Sequence, residues 1–131
     1  MHKSPSRLKT IIVEDSERMQ QILSDAVLGV AGLELITIVE TADGALAGIE
    51  EHCPDLVILD LVLREGNGLD VLSETKRRAP NCRVLVFTAY DDEQYKTRCI
   101  AAGASGFYSK NRQYGDLCTR LFDISSEHRN D

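Results

Sequence analysis

Five residues with reactive side chains fall where short apolar runs break off. "KTIIVED" closes on Glu14 and Asp15, "DLVILD" closes on Asp60, "RVLVFTA" carries Thr88 near its end, and "GFYS" is followed by Lys110. Runs of this length, rich in β-branched and aliphatic residues, read as strands. If they are parallel strands of one sheet, their carboxyl ends share a rim. That rim would gather three carboxylates, one hydroxyl and one ammonium. Crowded carboxylates repel one another and need a counter-ion. A hard divalent cation with oxygen ligands meets that need, and magnesium suits a site with a few carboxylates and several retained waters. Such an ion would also neutralise an incoming phosphoryl group. An aspartate can act as a nucleophile and form an aspartyl-phosphate. Lys110 can pair with phosphoryl oxygens as a point charge, and Thr88 can donate a hydrogen bond to one of them. Asp60 is the candidate acceptor, because a lone carboxylate in a buried apolar strand is costly unless something pairs with it.

Each of these residues alone has a plainer reading. Glu14-Asp15-Ser16 could be a helix N-cap with acid favoured by the helix dipole. Lys110 could be a solvated loop lysine and Thr88 an ordinary strand residue. The functional reading rests on their conjunction, in order, at the ends of alternate elements.

Those elements follow from the apolar pattern. A first strand spans 9–14. Ser16 caps a helix running to about Val30, with Met19, Ile22, Leu23, Ala26, Val27 and Val30 at helical spacing and Gly32 as its breaker. A strand over 33–40 and a short helix over 41–52 follow, the helix ended by Pro54. The third strand is Leu56 to Asp60, then comes a loop marked by Gly66 and Gly68, then a helix over 69–79 stopped by Pro80. A strand over 83–89, a helix over 92–102 ended by Gly103, a strand over 106–109 and a helix from 112 to about 125 complete the series. Residues 1–7 and 126–131 read as flexible tails around a single domain at 8–125. Strands alternating with helices imply an α/β fold, a doubly wound five-stranded parallel sheet covered by five helices. Such sheets bind ligands beyond the carboxyl ends of their strands, near the topological switch point.

Composition narrows the function classes. The 131 residues suit one domain, with 43% apolar and 27% charged residues. A net charge of −6 disfavours direct binding to phosphate backbones. No apolar stretch approaches the roughly 20 residues of a membrane span. "MHKSPSRLK" is basic but lacks an apolar core and a cleavage signal, so the expected location is cytoplasmic. Cys53, Cys82, Cys99 and Cys118 form no C-x-x-C pair and do not cluster with His2, His52 or His128. That argues against a zinc site and for reduced, mostly buried or half-buried thiols.

Four segments together resemble the receiver domain of bacterial two-component response regulators, over nearly the whole chain from about Leu8 to about Ser125. They are "IIVEDSERM", "PDLVILDLVLREGNGLDVL" with Gly68 eight residues after the aspartate, "VLVFTAYDD", and "AAGASGFYSK" with Phe107 three residues before the lysine. The resemblance implies the flavodoxin-like receiver fold. It implies that Asp60 accepts a phosphoryl group from a histidine kinase or a histidine phosphotransfer protein. Mg2+ would be held by Asp15, Asp60 and the carbonyl of Val62, with Glu14 acting through a metal-bound water. Thr88 and Lys110 would contact the phosphoryl group, and Thr88 with Phe107 would form the switch, the ring turning inward. Val62 and Tyr90 would flank the path of the hydrolytic water. Partners would be a downstream protein or a second copy, through the face containing Phe107, with no direct nucleic-acid or membrane contact. The chain ends soon after its last helix, so a stand-alone receiver is expected. Two positions depart from the family's pattern: Arg64 and Asn111 stand where prolines are common.

Other functions fit these residues less well. A magnesium-dependent aspartyl-phosphate phosphohydrolase commonly needs a second aspartate two residues after the nucleophile, and that position is Val62. An interaction module independent of phosphorylation usually lacks one of the acidic or lysine positions, and all are present. A flavodoxin-like cofactor binder lacks an evident phosphate-cradling loop here. The expectation is therefore a phosphoacceptor signalling domain, at most slowly phosphorylating and dephosphorylating itself.

Overall fold

The computed structural model describes residues 6–129. Its elements alternate as β1 (Leu8–Val13), α1 (Glu17–Leu28), β2 (Leu33–Val39), α2 (Ala42–His52), β3 (Leu56–Leu59), α3 (Gly68–Arg78), β4 (Arg83–Thr88), α4 (Glu93–Ala101), β5 (Gly106–Ser109) and α5 (Tyr114–Arg129). The strands form one sheet in the order β2-β1-β3-β4-β5, and every pairing is parallel. The chain first steps outward from β1 to β2, then returns past β1 to β3. The switch point therefore lies between β1 and β3.

Side-chain alternation along the central strands explains their continuous apolar runs. Ile11, Val13, Val57, Leu59, Val84 and Val86 join one buried cluster with Ala45, Ile49, Val71 and Leu72 of α2 and α3. Ile12, Leu56, Ile58, Leu85 and Phe87 join the other with Leu23 and Val27 of α1 and Leu117, Leu121 and Ile124 of α5. Both faces of the sheet are covered, so neither parity can be polar.

Helix starts follow the expected capping chemistry. Ser16 Oγ accepts the Met19 N–H, Thr41 Oγ1 accepts the Gly44 N–H, and Asp92 accepts the Tyr95 N–H. Helix ends depart from expectation in the first and last helices, while the second ends at His52 as expected. The first helix stops at Leu28, with Gly29 as its cap, well before Gly32. The second is closed by Cys53 in the left-handed region at φ 47°, one residue before Pro54. The last helix begins at Tyr114 and runs to Arg129. Glu127 and His128, expected in the tail, are thus helical. Glu127 lies 3.2 Å from Arg83 and 3.3 Å from Arg120, and His128 Nε2 is 2.8 Å from the Ser6 carbonyl oxygen. Much of the expected N-terminal tail, and residues 130–131, lie outside the described residues.

Gly68 packs directly behind the segment that carries Asp60. A Cβ there would stand 2.4 Å from the Asp60 carbonyl oxygen and 2.6 Å from Leu61 Cα, closer than backbone can tolerate. Gly68→Ala should lower stability in urea unfolding by roughly 1–3 kcal/mol. Gly115→Ala, with nothing within 4 Å of the added carbon, should be neutral or raise stability by up to about 1 kcal/mol. Equal effects at the two positions would refute the close-packing account.

The thiols also differ by place. Cys82 and Cys99 are buried, Cys118 is half-buried and Cys53 is exposed. Burial pushes the Cys82 thiol up to about 11. A raised pKa holds the thiol protonated as pH rises through the ordinary cysteine range, and the thiolate is the reactive form. An alkylating reagent at about pH 8 should therefore modify Cys53 first and reach Cys82 only on unfolding. Mass mapping that finds both alkylated at one rate would contradict this.

Candidate functional site

Strand register brings the acidic residues together. Val13 pairs with Leu59, so Glu14 and Asp60 leave adjacent strands side by side at the switch point. The backbone continues this alignment: the Asp60 N–H donates to the Val13 carbonyl at 3.0 Å, and the Glu14 N–H to the Val39 carbonyl at 2.9 Å. One oxygen each from Glu14, Asp15 and Asp60 lies within 4.8 Å of the others. Glu14 and Asp60 are buried and Asp15 is half-buried.

Lys110 enters from the far side, after β5. Its Nζ donates to Asp60 Oδ2 at 2.8 Å and lies 2.6 Å from Glu14 Oε1. Asp60 Oδ1 accepts the Val62 N–H at 3.3 Å. Glu14 Oε2 accepts the Ser16 N–H at 3.0 Å. Glu14 Oε1 is buried and, despite the nearby ammonium, has no aligned hydrogen-bond donor.

Electrostatics follow from this crowding. Burial pushes the Glu14 carboxyl above its usual range, the Lys110 ammonium and the Ser16 N–H pull it back, and the Asp60 carboxylate adds to the rise. For Lys110 burial pulls downward, but the hydrogen bond to Asp60 and the charges of Asp60 and Glu14 outweigh it and hold the ammonium above its usual range. One ammonium faces three carboxylates, so the cluster keeps an excess of negative charge. All its free donors are oxygen, and one buried oxygen lacks an aligned partner. That donor set fits a hard divalent cation such as Mg2+.

Thr88 ends β4 fully buried, with its Oγ1 accepting the Tyr90 N–H at 3.2 Å. The Lys110 N–H donates to the Thr88 carbonyl at 2.9 Å, so the hydroxyl and the ammonium come from directly linked backbone. Val62 and Tyr90 stand at the rim, 46% and 50% exposed, and the Tyr90 ring packs edge-on against Tyr95 with centroids 5.7 Å apart. Phe107 is 7% exposed and belongs to the same buried cluster as Val86 and Cys99. Its ring thus already lies inward in this structure, because its parity on β5 matches the covered face of β4. Arg64 pairs with Glu40 at 3.0 Å, and the Glu65 carbonyl accepts the Ala42 N–H at 2.9 Å, which ties the loop after Asp60 to the start of α2.

Two neighbours of the site are not singled out by the sequence motifs. Gln20 Nε2 donates to the Glu14 carbonyl at 2.7 Å and to Glu40 Oε1 at 3.1 Å, fixing the turn that carries the acidic pair. Ser109 Oγ donates to Asp91 Oδ2 at 2.6 Å, bridging the loops after β4 and β5. Gln20 lies one turn into the helix and could have been suspected from that spacing. No local pattern marks the Ser109–Asp91 pair.

Comparisons with known proteins agree with this geometry. The family model described as response regulator receiver domain matches residues 10–122. The chain is 29% identical over 117 residues to the chemotaxis protein CheY of Thermotoga maritima, covering 89% of this chain and 97% of that one. It is 27% identical over 119 residues to the DNA-binding transcriptional activator DevR/DosR of Mycobacterium tuberculosis, covering 91% of this chain and 55% of that one. It spans about half the length of such transcriptional regulators. Among solved structures, the CheX-CheY-BeF3-Mg+2 complex from Borrelia burgdorferi superposes with a TM-score of 0.83 at 23% identity, over 91% of this chain and 90% of that one. No described helix is long and apolar enough to cross a membrane. With the family model reaching into all five strands and the acidic cluster at the sheet's switch point, the chain belongs to the receiver domain family of two-component response regulators.

Proposed function

We propose that Asp60 accepts a phosphoryl group from the phosphohistidine of a histidine kinase or a histidine phosphotransfer protein. The observation that carries this reading is the Lys110 ammonium set between Asp60 and Glu14 inside a three-carboxylate cluster. A carboxylate oxygen of Asp60 attacks phosphorus, the new O–P bond forms as the N–P bond breaks, and the electron pair leaves with the imidazole nitrogen, which takes up a proton. Lys110 and the Thr88 hydroxyl then bind phosphoryl oxygens. Asp15, Asp60 and the Val62 carbonyl would hold Mg2+, with Glu14 acting through a water. When bound, the ion neutralises charge on the phosphoryl oxygens. In this reading the chain is a phosphoacceptor signalling domain of the cytoplasm, with catalysis limited to slow gain and loss of its own phosphoryl group. The magnesium named in the solved CheX–CheY complex supports the ion.

An acyl-phosphate donor with Mg2+ should add one phosphoryl group, found on Asp60 by intact mass and peptide mapping. Asp60→Asn should abolish the addition. Asp15→Asn should weaken Mg2+ binding and phosphorylation together, by roughly tenfold or more. Wild-type uptake by Asp60→Asn, or an unchanged Mg2+ titration of Asp15→Asn, would overturn the respective assignment.

Thr88 and Phe107 form the switch in this reading. When the Thr88 hydroxyl turns to a phosphoryl oxygen it gives up the bond from the Tyr90 amide, and Phe107, paired with Val86 two residues before Thr88, repacks. The surface of α4, β5 and α5 changes with it and contacts a downstream protein or a second copy. Amide exchange should differ between about residues 88 and 125 on phosphorylation, and identical protection there would sink the switch.

The lifetime of the phosphoryl group depends on water in line with the phosphorus, opposite the Asp60 oxygen. Val62 and Tyr90 offer neither carboxylate nor amide to orient it, and the edge contact with Tyr95 steadies the Tyr90 ring near the rim. Loss should therefore be slow. Val62→Asn with Tyr90→Glu should lose phosphate at least several-fold faster, measured as the decay of phosphorylated protein. No acceleration would show that these side chains do not set the lifetime.

A further inference from the structure

Ser109, immediately before Lys110, is only 1% exposed, yet all its polar groups are partnered. Its Oγ donates to Asp91 Oδ2 at 2.6 Å and accepts the Asn111 N–H at 3.1 Å. Its N–H donates to Gln113 Oε1 at 3.0 Å, and its carbonyl accepts the Gln113 N–H at 2.8 Å. A buried serine needs such partners, and satisfying them fixes the path of the backbone around it.

The Asn111 bond exists because residue 111 has an amide hydrogen, which a proline would lack. The Asp91 bond crosses to another loop, three residues beyond Thr88. Arg112 lies 3.6 Å from the same Asp91 oxygen, but its guanidinium is exposed and the pair contributes little. The loops that carry Thr88 and Lys110 are therefore joined twice: by the Lys110 N–H to the Thr88 carbonyl, and by the Ser109 hydroxyl to the Asp91 carboxylate.

From this geometry we infer that Ser109 and Asp91 are positioning residues for Lys110. The hydroxyl, held by Asp91 on one side and by the Asn111 N–H on the other, sets the backbone from which the Lys110 ammonium reaches Asp60 and Glu14. The role rests on the reading of Asp60 as phosphoryl acceptor; the placement of the ammonium can be measured without it.

The test compares Ser109→Ala, Asp91→Ala, the double variant and Asp91→Asn with the wild type. Asn at 91 keeps an oxygen that can accept the hydroxyl. Asp91 lies on a surface loop, so its variants fold even if Ser109→Ala is unstable. With acyl-phosphate and Mg2+, each Ala variant should slow the maximal phosphorylation rate by roughly tenfold, since a small misplacement of a positioned group is costly. Mg2+ affinity should not change. The double variant should be no slower than either single one, and Asp91→Asn should stay within about twofold of wild type. Without phosphate, the Lys110 side-chain nitrogen resonance and the amide exchange of Asn111 should both shift in the Ala variants and be restored in Asp91→Asn. Unchanged resonance and exchange in both Ala variants, additive slowing in the double variant, or an Asp91→Asn as slow as Asp91→Ala would overturn the inference. A wild type that takes up no phosphoryl group, alongside the expected shifts in resonance and exchange, would overturn the acceptor reading and leave the positioning of Lys110 supported.

Discussion

The Lys110 ammonium stands between the carboxylates of Asp60 and Glu14, and most of what surrounds the site serves to keep it there. Two buried carboxylates on adjacent strands repel each other and lose hydration, and both costs grow as the local dielectric falls. A single ammonium offsets part of this. It must be held by rigid backbone, because a lysine side chain left to itself prefers water. Here the rigidity comes from β4 and β5: the Lys110 N–H is bonded to the Thr88 carbonyl, and β4 is itself locked to β3. The charge left over in the cluster, with its oxygen donors, suits the rim to a hard cation.

The loops around this pair are held by different means. After Asp60, backbone does the work: Ala42 bonds to Glu65, Val62 bridges Asn67, and Gly68 packs against the Asp60 carbonyl too closely for any side chain. The Arg64–Glu40 pair adds an exposed contact of small worth. After β5, a buried serine hydroxyl and a carboxylate from the neighbouring loop take over. The two positions where the family often has proline are thus constrained by hydrogen bonds rather than by a ring.

The rim is asymmetric in polarity. On one side lie charged groups, and on the other the half-exposed Val62 and Tyr90, with Tyr90 stacked edge-on against Tyr95 of α4. Tyr95 also packs against the cluster that contains Phe107. An aromatic pair therefore connects the rim beside Asp60 with the buried cluster that holds the Phe107 ring of β5.

Much of this was legible in the chain of residues. Continuous apolar runs in β1, β3 and β4 announced a sheet covered on both faces, and the polar residue that ends each run marked the rim. Ser16 was readable as a cap because capping is a contact between residues three apart. Sequence also brought Glu14, Asp15, Asp60, Thr88 and Lys110 to one edge, since parallel strands share their direction. It could not say that Val13 pairs with Leu59, that Lys110 bridges two carboxylates instead of facing water, or that the Phe107 ring lies inside. Nor could it say that α5 continues to Arg129 or that Ser109 meets Asp91. Local patterns report which face a residue favours and where a helix can start. Distances between residues far apart in the chain depend on strand order, register and the packing of both cores, and only the folded chain settles those.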